Sequence, residues 1–172
     1  MASELYEDFV VDMERRVKDL KVGDVLSAQA DERVDVGAMV SDRLFGELES
    51  MIAAAVSQGA RLLVGGRRLS FAEGDARSGG FYFAPTLLVD VEPSMALAQQ
   101  ELFAPVMTVM RARDVDHAVE LANGTRYGLG ASVFGRDKAR VRDVMARLKA
   151  GMVCSNDFGG ALVSGKLQCA RR

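Results

Sequence analysis

Apolar positions recur along this chain at helical spacing first, and then in short runs of strand character. Leu5, Phe9, Val10, Met13, Val17 and Leu20 fall on one helical face, behind a Ser3 suited to a cap position. Residues 21–40 hold no sustained period and contain the breakers Gly23 and Gly37. Ser41 is expected to cap a second helix with Leu44, Phe45, Leu48, Met51, Ile52 and Ala55 in one stripe, closed by Gly59. The run Arg61–Val64 then predicts a short strand ending at Gly65 and Gly66, and residues 65–80 read as an exposed loop.

The second half alternates. Strands are predicted over Thr86–Val91 and Val106–Met110, with a helical turn at "MALAQ" between them. Asp114 caps a helix through Val115, Ala118, Val119 and Ala122, stopped by Asn123 and Gly124. "ASVF" is a further strand. Asp137 opens a helix with Val141, Val144, Met145 and Leu148 on one side, Gly151 ends it, and "MVCS" is the last strand. Strand, helix, strand, helix, strand linked by tight turns predicts an α/β fold, a parallel sheet with flanking helices.

Composition narrows the function classes. The chain has 172 residues, one ordinary domain or part of a larger one, with 49% hydrophobic and 27% charged residues, as in globular proteins. With 22 basic and 24 acidic residues and a net charge of −2, nothing in the balance calls for nucleic acid or a membrane as partner. The basic stretch from Arg136 to Lys149 is interrupted by Asp137 and Asp143, which suits a solvated helix face. Two cysteines and one histidine fall short of the four ligands of a structural zinc site, so no metal is expected. The N-terminus resembles no signal peptide and no segment is long enough to span a membrane, so a soluble, cytoplasmic protein is expected. His117 reads as a surface residue, the nine methionines as core fillers, and Gly65-Gly66 as a turn rather than a phosphate loop.

The stretch "QELFAPVMTV", residues 100–109, sets Glu101 and Phe103 beside Pro105, which disfavours helix at Ala104 and places both residues on the loop entering a strand. With it, the ordered motifs "DVGAMVSDR", "QGARLLVGG", "APTLLVDV", "DHAVELANGTRYGLGASVFGRD" and "LKAGMVCSND" closely resemble the aldehyde dehydrogenase superfamily from about Tyr6 to about Phe158. The resemblance implies a partial catalytic domain over residues 1–160 followed by a divergent tail over 161–172. It implies an aldehyde as substrate and NAD or NADP as cofactor, with a thiohemiacetal, hydride transfer and thioester hydrolysis in the complete enzyme. This chain alone is expected to bind the dinucleotide weakly or not at all, the adenine and phosphate sites falling outside it. It also implies a homo-oligomer for the full-length parent.

Site residues carry over from the family one by one. The glutamate matching Glu101 accepts hydrogen bonds from the nicotinamide ribose, and the phenylalanine matching Phe103 packs near the nicotinamide. Asn156 and Phe158 fall on the substrate-pocket side. No catalytic residue has a match: nucleophilic cysteine, general-base glutamate, oxyanion-hole asparagine and adenosine-side lysine would all precede Met1. Cys154 matches a non-catalytic position and reads as a core thiol, and Cys169 lies in the tail. Two departures stand out. Ala104 replaces the usual glycine, with strain expected if that position needs positive φ, and "GGALVSGKLQCARR" keeps only an echo of the family's continuation. Both ends are therefore expected to be cut, leaving a fragment of an aldehyde dehydrogenase without activity of its own, or a non-catalytic interaction module.

Overall fold

The computed structural model describes residues 3–26 and 33–157. The chain forms two compact units that divide between Arg111 and Ala112.

In the first unit, helices α1 (Ser3–Lys18) and α2 (Arg43–Ser57) precede strand β1 (Arg61–Val64), followed by β2 (Arg68–Leu69), β3 (Tyr82–Phe83), β4 (Thr86–Val89), α3 (Ala96–Gln99) and β5 (Val106–Thr108). A three-stranded sheet runs in the order β1-β4-β5, antiparallel between β1 and β4 and parallel between β4 and β5. β4 is the centre of this unit and every residue in it is buried, as a strand covered on both faces must be. Its period of two sends Leu88 into one core with Phe45, Leu48 and Ile52 of α2, and Leu87 and Val89 into another with Tyr6, Val10 and Val17 of α1. Each such side chain, fully buried, contributes about 1.5–3 kcal/mol.

The mixed α/β character matches the sequence reading, and several details differ. β1 joins as an antiparallel edge, and the β1–β4 connection carries a second small ladder, β2 with β3, of which β2 lies inside the segment read as a loop. Gly65 makes the turn possible: at φ 74° a Cβ there would lie 2.3 Å from the Pro85 carbonyl oxygen. β4 stops at Val89, short of Val91, because Asp90 adopts φ 55°. Its carboxylate accepts from the Tyr6 hydroxyl at 2.7 Å and from Arg61 at 2.7 Å, tying α1, β1 and β4 together. Partial burial pushes the Asp90 pKa up, but the bonds from Tyr6 and Arg61 outweigh it and hold the group below the usual carboxylate range. Ser41 is not the cap of α2. Asp42 occupies that position without a side-chain cap bond, and Ser41 accepts from the Arg43 N–H at 3.2 Å instead.

The second unit holds α4 (Val115–Asn123), β6 (Gly130–Val133), α5 (Lys138–Arg147) and β7 (Met152–Ser155). β6 and β7 pair in parallel, with Ala131 opposite Val153. Both expected caps are present: Asp114 accepts from the His117 N–H at 2.7 Å, and Asp137 accepts from the N–H groups of Ala139 and Arg140. α5 ends at Arg147, and Leu148 turns extended before Gly151 is reached. The core here is small: Val119, Leu148 and Val153, flanked by partly buried Ala131, Val133, Val144 and Met145.

Candidate functional site

The loop between α3 and β5 is built from both of its ends. Gln100 leaves α3 in extended conformation while its N–H still donates to the Ala96 carbonyl at 3.0 Å. At the other end the Thr86 N–H donates to the Pro105 carbonyl at 2.9 Å, and the Val106 N–H reaches back to Ala104 at 2.7 Å. Thr86 is fully buried, and its hydroxyl donates to the Ala84 carbonyl at 2.6 Å and accepts from the Gly66 N–H at 2.8 Å. The loop is thus pinned to the central strand beside it.

Between those anchors the side chains alternate. Leu102 and Ala104 pack against the core of α2 and β4, while Glu101 and Phe103 point out. Phe103 has φ 45° and its surface is 72% exposed. A left-handed conformation is costly for a bulky residue, of order 1–3 kcal/mol, and persists only where the surroundings over-determine it. The expected strain at Ala104 is therefore displaced by one residue: the positive φ falls on Phe103, and the Ala104 methyl packs inward.

The remaining candidate residues lie in or beyond the second unit. Asn156 directly follows β7 at φ 50°, and its side-chain amide is occupied. Oδ1 accepts from the Gly135 N–H at 2.8 Å, Nδ2 donates to the Gly135 carbonyl at 2.9 Å, and the Asn156 N–H donates to Val133 at 2.9 Å. Asn156 therefore clamps the turn after β6. The signal for this was present in "SVFG" and "SND", two strand exits of a parallel pair, but spacing alone does not align them. Phe158 lies outside the described residues, as does Cys169. Cys154 is a partly buried thiol opposite Ser132, and His117 accepts from the Arg113 N–H at 3.2 Å beside its own helix cap. Among the described residues no group of three or more His, Cys, Asp or Glu side chains is arranged to hold a metal, and no helix is long and apolar enough to cross a membrane. A cavity of about 260 Å³, absent from the sequence reading, lies in the second unit between Asn123, Tyr127, Leu129, Leu148, Lys149 and Ala150.

Comparison with known proteins shows the family. An aldehyde dehydrogenase-like protein of Schizosaccharomyces pombe is 46% identical over 155 residues, covering 90% of this chain and 28% of that protein. The succinate semialdehyde dehydrogenase (NAD(P)+) Sad of Escherichia coli is 37% identical over 85% of this chain and 31% of its own length. The crystal structure of Staphylococcus aureus betaine aldehyde dehydrogenase in complex with NAD+ superposes with a TM-score of 0.79 at 32% identity, covering 91% of this chain and 30% of that one. That of Pseudomonas syringae aldehyde dehydrogenase C, in complex with NAD+ and octanal, superposes with a TM-score of 0.78 at 31% identity, covering 91% and 31%. The chain thus spans roughly a third or less of the length of these relatives. The model of the aldehyde dehydrogenase family matches residues 1–165, and the chain belongs to that family.

Proposed function

We propose that this chain forms the part of an NAD(P)-dependent aldehyde dehydrogenase that meets the nicotinamide end of the cofactor, in an enzyme oxidising an aldehyde to a carboxylic acid. The observation that carries this reading is the loop Glu101–Pro105, where two inward side chains anchor a backbone that presents a carboxylate and a left-handed aromatic outward. The residue types fit the group. An ionised carboxylate offers two acceptor oxygens, which suits the neighbouring hydroxyls of a ribose, and charge strengthens both bonds. A flat apolar ring suits the face of a heteroaromatic.

The nicotinamide, when bound, supplies the hydride-accepting chemistry. Glu101 fixes the ribose, Phe103 limits the travel of the ring and keeps water from it, and the pinned backbone lowers the ordering cost of both contacts. Asn156 and Phe158 belong to the aldehyde side, Asn156 by holding the Gly135 turn in place. NAD or NADP serves as cofactor, and the parent is a homo-oligomer. This segment by itself transfers no hydride, because none of its residues matches the family's nucleophile.

Two measurements test the reading. NADH or NADPH formation followed at 340 nm, with succinate semialdehyde or octanal, is expected to stay at the level of a boiled control for the chain alone, and turnover above that level overturns the last statement. In a family chain that carries this segment together with the nucleophile-bearing part, Glu101→Gln is expected to raise KM for the dinucleotide about tenfold while kcat changes less, through loss of charge-assisted bonds. An unchanged KM would sink the assignment of Glu101.

A further inference from the structure

We infer that Thr86 is a positioning residue for the loop Glu101–Pro105, coupling the turn at Gly65 and Gly66 to the residues that meet the cofactor. This rests on the reading of Glu101 and Phe103 as cofactor contacts and assigns the device that holds them in place. Tyrosines apart, Thr86 carries the one polar side-chain group that is buried among the described residues, at 1% exposure. Valine has the same branched shape and suits a strand as well, whereas a buried hydroxyl is costly unless it is bonded. A hydroxyl kept at such a place has a task that shape alone does not perform.

That task is visible in one peptide unit. β1 ends at Val64, opposite Leu87, and Gly65 and Gly66 then turn past the start of β4 at φ 74° and 79°. The Gly66 N–H donates to Thr86 Oγ1 at 2.8 Å, and Oγ1 donates to the Ala84 carbonyl at 2.6 Å. The Ala84 N–H in turn donates to the Arg67 carbonyl at 3.0 Å. The Pro85–Thr86 peptide lies inside this frame. Its carbonyl oxygen faces Gly65, where a Cβ would come within 2.3 Å of it and within 2.6 Å of Thr86 Oγ1. Its N–H, on the opposite edge of a trans peptide, donates to the Pro105 carbonyl at 2.9 Å. The glycine turn therefore sets one edge of a rigid plane, and the cofactor loop hangs from the other.

Phe103 is the residue most sensitive to that plane. Its φ of 45° persists only while its surroundings hold it, and Ala104 alone separates it from Pro105. Loss of the Thr86 hydroxyl frees the plane to rotate and lets the loop sample other conformations. The cost then falls on ordering Glu101 and Phe103 when the dinucleotide binds, and the chemical step is left largely alone.

Hydrogen exchange of this chain reads the positioning without any cofactor. Thr86→Val is expected to speed exchange at the Gly66 and Val106 amides and at position 86 about fivefold, as for one ordinary hydrogen bond, with Ile52 of α2 unchanged. Thr86→Ser, which keeps the hydroxyl, is expected to behave as the unaltered chain. Without any substitution, the Gly66 and Thr86 amides are expected to show protection within about twofold of each other, as one opening unit. In a complete family enzyme carrying this segment, Thr86→Val is expected to raise KM for the dinucleotide about threefold while kcat holds, and Thr86→Ser to restore it. In that enzyme Thr86→Val should add little to Glu101→Gln, since both act on one contact. Unchanged exchange at Val106 and position 86 overturns the inference, and so does a Gly66 amide far less protected than that of Thr86. A fall in kcat at constant KM, or a KM effect that adds in full to that of Glu101→Gln, overturns it as well. A loosened loop in this chain beside an unaltered KM for Glu101→Gln alone strikes the cofactor reading instead and upholds Thr86 as the anchor of the loop.

Discussion

The two units solve the same packing problem at different depth. In the first, β4 is buried on both faces between α1 and α2, and two clusters of core side chains meet on it. In the second, a two-stranded parallel pair rests on Val119, Leu148 and Val153, and side-chain hydrogen bonds do much of the holding. Asn123 bridges the Arg147 carbonyl and the Lys149 N–H, and Asn156 clamps Gly135 from both sides. Both units keep a left-handed residue, and the contrast lies in its type. The first holds the bulky Phe103 on a loop fastened to its deep core, whereas the second holds Asn156, a residue type that tolerates this conformation and whose amide makes the clamp.

The contrast can be broken from either side. Leu88→Ala is expected to cost about 3 kcal/mol by emptying the centre of the first core, lowering hydrogen-exchange protection throughout β1, β4 and β5. Equal loss in β6 and β7 would show that the units do not differ in this way. Asn156→Ala is expected to cost about 2 kcal/mol, because two hydrogen bonds to Gly135 are lost and alanine tolerates φ 50° less well than asparagine, and protection should fall in β6 and β7 while β4 is untouched.

A pH titration sharpens the comparison further. The Asp90 pKa is depressed in the folded chain, so its contribution is present above the ordinary carboxylate value and is lost as pH falls through the lower folded value. Asp90→Asn should therefore flatten the acid limb of the first unit's stability below about pH 4 and leave the second unit's limb unchanged. Unfolding curves of both proteins, monitored by exchange in each unit between neutral and acid pH, provide the check. The smallest effect is expected for Phe103→Gly, which removes the left-handed strain and should stabilise the first unit by about 1 kcal/mol. A destabilised variant would mean that the ring contributes more packing than its exposure indicates.

Much of this was legible beforehand. The stripe Phe45-Leu48-Ile52-Ala55 and the caps Asp114 and Asp137 are local patterns, and each reappears where its spacing placed it. The strand entering at Pro105 was readable for the same reason. Less legible were features set by partners distant in sequence. β2 and β3 are two residues each, too short for a period to register, and exist because Arg68 and Phe83 meet across a ladder. The Asn156 clamp needs Gly135, 21 residues away, brought close by parallel pairing.

By itself, then, the amino-acid order determined the helices, most strands, the caps and the outward placement of Glu101 beside Pro105, because these follow from neighbours within one or two turns of chain. Tertiary structure decided the rest. It set the antiparallel direction of β1, the end of β4 at a left-handed Asp90 held by Tyr6 and Arg61, and the shift of positive φ from Ala104 to Phe103. In each case backbone conformation yields to a hydrogen bond or a packing contact across many residues, and such long-range free energies outweigh the local preferences of the chain.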